Sequence, residues 1–220
     1  MRRDTPYHDR IEAGAVLAKS LLEYRGRDTL VLGIPRGGVV VAAEIARVLE
    51  AELDVVVARK LGAPGQPELG IGAVTADGGR FLNEEMLQAL HISTPYLDAI
   101  TTVEMAEARH RATWLRSLRP AAPITGRTVI VVDDGLATGA TMLAAARALR
   151  QQEPARLVVA VPVGTRDACD ALRSDVDEVV CPLQPEPFGA VGLYYDHFEQ
   201  VEDEQVRELL EATRSATAGQ

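Results

Sequence analysis

Two adjacent carboxylates, Asp133 and Asp134, close an apolar run and open a loop of small residues: residues 129–141 read VIVVDDGLATGAT. The run before them suits a buried strand, and the Gly/Thr loop after them suits the start of a helix. In an open α/β sheet, ligands bind outside the carboxyl ends of the strands. A helix beginning there offers unpaired backbone N–H groups and a partial positive charge, both of which favour a phosphate. Gly139 lets the backbone approach closely, Thr138 and Thr141 add hydroxyl donors, and Ala137 and Ala140 complete the loop. Asp133 and Asp134 repel an anion, so they suit the vicinal hydroxyls of a sugar or a cation. One motif therefore describes a sugar phosphate, with its diol at the acid pair and its phosphate in the loop.

Three further stretches carry chemistry. Residues 34–38, IPRGG, follow the first apolar run, with Arg36 as a cation and Gly37 and Gly38 leaving their N–H groups accessible. Residues 59–72, RKLGAPGQPELGIG, join the basic pair Arg59 and Lys60 to a glycine- and proline-rich stretch, which predicts a mobile loop between strands. Residues 190–196, AVGLYYD, end a proline- and aromatic-rich region with Asp196. The four histidines, His8, His91, His110 and His197, lack HxxxH or HExxH spacing, so a dedicated zinc or iron site is not expected. GxSxG and GxxxxGK[ST] are both absent, which disfavours an α/β-hydrolase and a P-loop NTPase.

The elements that must position these residues alternate along the chain. Strands are expected near 29–34, 53–58, 129–132, 156–161 and 178–180, apolar on both faces. Helices are expected after the first strand (Val41, Ile45, Leu49), at 141–149 and near 167–172. The expected fold class is therefore α/β, a parallel sheet flanked by helices. Residues 84–120 read as an inserted helical hairpin broken near Ser93-Thr94-Pro95, residues 181–200 as a small cap, and 199–211 as an acidic surface helix. The whole chain, 1–220, reads as one domain.

Composition narrows the partners. With 220 residues, 47% apolar and 25% charged, the chain can build its own core. A net charge of −9, from 23 basic and 32 acidic residues, argues against nucleic acid or an anionic membrane. Two cysteines without a CxxC pair suit a reducing compartment, and with no leader or apolar span a cytoplasmic location is expected.

The strand, acid pair and Thr-Gly-x-Thr loop resemble the phosphoribosyl-pyrophosphate signature of type I phosphoribosyltransferases, and more narrowly the small stand-alone bacterial members of unassigned acceptor. The resemblance covers roughly residues 9–160. It implies an enzyme that joins a nitrogen nucleophile to C1 of phosphoribosyl pyrophosphate and releases pyrophosphate, with Mg²⁺ bound alongside the donor. On that basis Asp133 and Asp134 hold the ribose, and Ala137, Thr138, Gly139, Ala140 and Thr141 hold the 5-phosphate. Arg36, Gly37 and Gly38 face the pyrophosphate. Lys60, favoured over Arg59, is carried to the pyrophosphate on a closing loop. By the same resemblance Asp196 lies near the metal, and Phe188 or Tyr194 stacks on an acceptor base. Small-molecule substrates and a candidate homodimer are implied, with no nucleic acid and no membrane. One position departs: purine-salvage members carry an Asp where this chain has Ala137, and that Asp handles the proton on the purine's imidazole nitrogen. Hypoxanthine and guanine are therefore disfavoured, while orotate-type branches also lack an acid there. The alternative is a regulatory or nucleotide-sensing protein that keeps the donor site without turnover. A Rossmann dehydrogenase is disfavoured, because no GxGxxG follows the first strand.

Overall fold

The chain is described by a computed structural model over residues 6–117 and 119–217. In chain order its elements are α1 (Arg10–Ala18), β1 (Thr29–Gly33), α2 (Gly37–Leu49), β2 (Glu52–Val55), β3 (Ala58–Ala63), β4 (Gln66–Thr75), β5 (Arg80–Leu82), α3 (Glu84–Ala89), α4 (Thr94–Leu115), β6 (Thr128–Val132), α5 (Ala140–Arg150), β7 (Arg156–Ala160), α6 (Arg166–Leu172), β8 (Glu178–Val180) and α7 (Asp203–Thr217).

Five strands form one parallel sheet in the order β2-β1-β6-β7-β8. All of β1, and all of β6 and β7 beyond their first residues, are buried, because helices cover both faces. Leu17, Ile45, Leu49, Val206 and Leu210 build the core on one face with Val31 and Ile130. Met142, Leu149, Cys169 and Leu172 build the other with Leu30 and Val129. This is the expected α/β fold, a parallel sheet flanked by helices. From β1 the chain steps outward to β2, whereas β6 to β8 extend the opposite way. The order therefore reverses between β1 and β6, and a crevice opens above their carboxyl ends.

The stretch 59–72 corrects the expectation of a mobile loop. It forms most of an antiparallel hairpin, β3 with β4, which β5 extends to three strands. Pro64-Gly65 makes the turn, with Gly65 at φ +70°. The other glycines serve close packing: a Cβ at Gly72 would lie 2.5 Å from the carbonyl oxygen of Phe81 on β5. Leu61, Ile71 and Val74 are fully buried beneath Leu87, Tyr96, Leu97 and Ile100 of the helical insertion. The Tyr96 hydroxyl donates to the Gly62 carbonyl at 2.8 Å.

The insertion breaks between α3 and α4, close to the expected point, with Asn83 and Ser93 at the N-caps. Buried Arg116 ties it to the main sheet, donating to Asp54 and Asp77 at 2.8 Å each and to the Val55 carbonyl at 2.9 Å. A second correction concerns α7, expected to be a surface helix. Val206 and Leu210, one turn apart among the acids, are buried against α2 and β2. Among the described residues, no helix is long and apolar enough to cross a membrane.

Candidate active site

Gly33 and Val132 are register partners, so β1 and β6 release their loops side by side at the crevice. The loop from β1 carries Pro35, Arg36, Gly37 and Gly38 into α2; the loop from β6 carries the acid pair into α5. The two loops touch. A Cβ at position 37 would sit 1.9 Å from Asp134 Oδ2, and one at position 38 would sit 2.6 Å from the Val132 carbonyl oxygen. Only glycine admits this approach. The Pro35–Arg36 peptide is cis.

Asp133 accepts the Asp134 amide through Oδ1 at 2.9 Å. Asp134 Oδ2 accepts from Arg10 Nε at 2.7 Å, with the two side chains only 17% and 11% exposed. Burial first, and the adjoining Asp134 carboxylate second, push Asp133 up to about 8. Burial also raises Asp134, and the hydrogen bond and charge of Arg10 oppose that rise. The guanidinium of Arg10 additionally lies 3.8 Å above the Phe198 ring and donates to the Glu199 carbonyl at 2.9 Å. The Tyr195 hydroxyl donates to the Asp134 carbonyl at 2.6 Å, and burial keeps it protonated by raising its pKa.

Beyond the acid pair, Gly139 stands at the N-cap of α5 with φ +74° and no capping side chain, so the first-turn amides stay open to a ligand. Ala137 and Thr138 are exposed. The loop is braced from beneath by α6. Thr165 Oγ1 donates to the Ala137 carbonyl at 2.9 Å and accepts from the Ala168 amide at 3.2 Å. Two cavities flank this loop. One of about 370 Å³ is lined by Pro35, Arg36, Ala58, Arg59, Arg111 and Thr141. The other, about 710 Å³, runs between the hairpin and α5, with Lys60, Asn83, Phe81, Thr138 and Arg147 on its walls.

This geometry has close relatives. The family profile described as "Phosphoribosyl transferase domain" matches residues 7–197. The chain belongs to the phosphoribosyl transferase family. A Mycobacterium tuberculosis protein with the provisional description of a phosphoribosyl transferase is 43% identical over 205 residues, 93% of this chain and 46% of that protein. The chain thus spans about half the length of the curated relatives it matches. The crystal structure of the Thermus thermophilus protein TT1426 is 45% identical and superposes with a TM-score of 0.84, covering 93% of this chain and 97% of that one.

At the crevice, the structure brings together Arg36, Gly37, Gly38, Asp133, Asp134 and the loop 137–141. Lys60 lines the larger cavity together with Thr138, Ala140 and Thr141 of that loop, whereas Arg59, its neighbour on β3, also lines the cavity over Pro35 and Arg36. Arg59 is thus the member of the basic pair that borders Pro35 and Arg36, and Lys60 the member that borders only the Thr138 side of the loop. Val191, in the stretch 181–200, packs on Gly135 next to the acid pair. Phe188 and Tyr194 face each other at 5.3 Å, partly buried in the cap's own cluster. Asp196 lies 3.6 Å from His8, its side chain 32% exposed. Arg10, Phe198, Thr165 and Arg111 carry no sequence signal, since each acts across a long chain separation. Tyr195 stood inside the AVGLYYD stretch, but its alternation with Tyr194 gave no reason to choose it.

Proposed function

We propose that the chain transfers the phosphoribosyl group of phosphoribosyl pyrophosphate to a nitrogen nucleophile and releases pyrophosphate. The observation that carries this reading is the meeting of the Arg36–Gly38 loop with the acid pair at the switch point, beside an uncapped helix N-terminus. Asp133 and Asp134 accept hydrogen bonds from the ribose hydroxyls and lie near the positive charge that develops on the sugar as the bond to C1 stretches. The amides and hydroxyls of Thr138, Gly139, Ala140 and Thr141, with Ala137, seat the 5-phosphate. Arg36, the Gly37 and Gly38 amides and Arg59 meet the departing pyrophosphate. Positioning and electrostatic stabilisation supply most of the catalysis in such a reaction.

Mg²⁺ is the cofactor this reading implies. No cluster of three or more His, Cys, Asp or Glu suited to a metal occurs among the described residues. That sparse donor set fits an ion that arrives on the substrate and keeps most of its waters. Asp196, reachable from solvent, would hold it through water, and the ion would offset charge on the pyrophosphate. The acceptor class is a nucleobase or a related nitrogen compound. Ala137, whose methyl group neither takes nor gives a proton, favours an acceptor whose nucleophilic nitrogen needs no partner there.

Pyrophosphate release in the presence of phosphoribosyl pyrophosphate, Mg²⁺ and a panel of nucleobases and amines tests the proposal. Release that depends on one acceptor supports transfer. Tight donor binding with no release under any acceptor supports the sensing alternative instead.

A further inference from the structure

The helical insertion does more than cover the hairpin. Its long helix α4 delivers Arg111 to the wall of the 370 Å³ cavity above Pro35 and Arg36. Three arginines from three separate elements line this cavity: Arg36 from the loop after β1, Arg59 from β3 and Arg111 from α4. Among the described residues, none that lines it bears a carboxylate. Such a set matches a ligand with several negative charges close together, since guanidinium groups bind phosphate oxygens in pairs.

The position of Arg111 is fixed. Ala108 and Ala112, one turn before and one residue after it, are 0% and 1% exposed, so α4 cannot roll at this point. Glu104, two turns earlier on the same helix, accepts from Arg59 Nε at 2.7 Å and holds that guanidinium against α4. Arg111 Nη2 donates to Asp203 Oδ1 of α7 at 3.0 Å. Its side chain is 43% exposed. A guanidinium has five N–H donors, so this one contact orients Arg111 while leaving donors for a ligand.

We propose that Arg111 binds the pyrophosphate group of the donor, so that the insertion completes the donor site. This rests on the proposed function, because the cavity lies over the loop assigned to pyrophosphate. Loss of one charge-assisted contact of this kind corresponds to roughly ten- to hundredfold weaker binding. The contact is made only with the pyrophosphate end of the donor. Ribose 5-phosphate, which lacks that end, should not sense it.

The experiment is calorimetric titration of the full chain with three probes in Mg²⁺: inorganic pyrophosphate, phosphoribosyl pyrophosphate and ribose 5-phosphate. R111Q should weaken the first two by roughly ten- to hundredfold and change ribose 5-phosphate by less than about twofold. R111K, which keeps the charge without the planar fork, should fall between R111Q and the parent. Thermal melts check that both variants fold, and R111K carries the test if R111Q does not. Equal affinity of parent and variants for phosphoribosyl pyrophosphate overturns the inference alone. So does an equal loss for all three probes, which would mark a structural role. Failure of the parent to bind either sugar phosphate overturns the proposed function and this inference with it.

Discussion

Replacing Arg10 with alanine should expose the charge problem at the acid pair. Arg10 is the only cation that hydrogen-bonds to either carboxylate among the described residues, and both members of its ion pair are largely shielded from water. Breaking a buried pair by removing one member costs about 3–5 kcal/mol when the other stays charged. Here the carboxylate has a way out. Its pKa, already raised by burial, rises further without Arg10, so at low pH it takes up a proton. What remains at low pH is the lost stacking on Phe198 and the lost bond to the Glu199 carbonyl, about 1 kcal/mol together. We expect a loss of about 2–3 kcal/mol at pH 8 and about 1 kcal/mol at pH 5. For a chain of this length that is a fall in Tm of about 4–12 °C at pH 8 and about 2–4 °C at pH 5. Thermal melts of parent and R10A at both pH values measure it. The double variant R10A/D134N, with one carboxylate removed, should recover most of the pH 8 loss, since the uncompensated charge is gone. Equal losses at the two pH values, or no recovery in the double variant, would refute the claim that Arg10 opposes the burial-driven rise of the Asp134 pKa.

Three further outcomes follow from the same geometry. Asp133 is raised to about 8 in the folded chain, above its unfolded value near 3.8, so its contribution to stability is complete below about pH 4 and is lost as pH rises towards 8. Ligand binding that draws on the ionised pair must then release a proton at pH 7. Binding enthalpies measured in Tris and in MOPS should differ there and converge near pH 9. Gly37→Ala places a methyl group against Asp134, which must shift; we expect a stability loss of about 1–3 kcal/mol, with affinity for ribose 5-phosphate reduced about tenfold or more in a titration. Thr165→Ala removes the cap of α6 and the bond to the Ala137 carbonyl, so urea unfolding should show a loss of about 1–2 kcal/mol and ribose 5-phosphate should bind more weakly.

Much of the site was legible because its logic is local. The strand, the acid pair and the helix start stand within thirteen consecutive residues, 129–141, and the run from the first strand through IPRGG is equally continuous. The strands of the main sheet could be read because burial on both faces leaves unbroken apolar runs. The hairpin was hidden by composition. Glycine and proline suggested mobility, yet Leu61, Ala63, Ile71 and Val74 form the buried face of paired strands, and the glycines let neighbouring backbones and side chains approach. The acidic character of α7 likewise masked Val206 and Leu210. Arg10 could not be read at all, because it meets Asp134 across 124 residues, and only the folded chain brings the two together. Arg111 was hidden in the same way: within the sequence it belongs to a run of charges on a helix, and only the placement of α4 over β3 aims it at the cavity.

The central claim is that the crevice between β1 and β6 is a donor site for phosphoribosyl pyrophosphate. A calorimetric titration with this compound, with and without Mg²⁺, set beside ribose 5-phosphate and repeated on D133N/D134N, tests it most directly. The account predicts tight binding that strengthens with Mg²⁺, weaker binding of ribose 5-phosphate, and a marked loss of both in the double variant. Absence of binding by either ligand, or a double variant that binds like the parent, would contradict it.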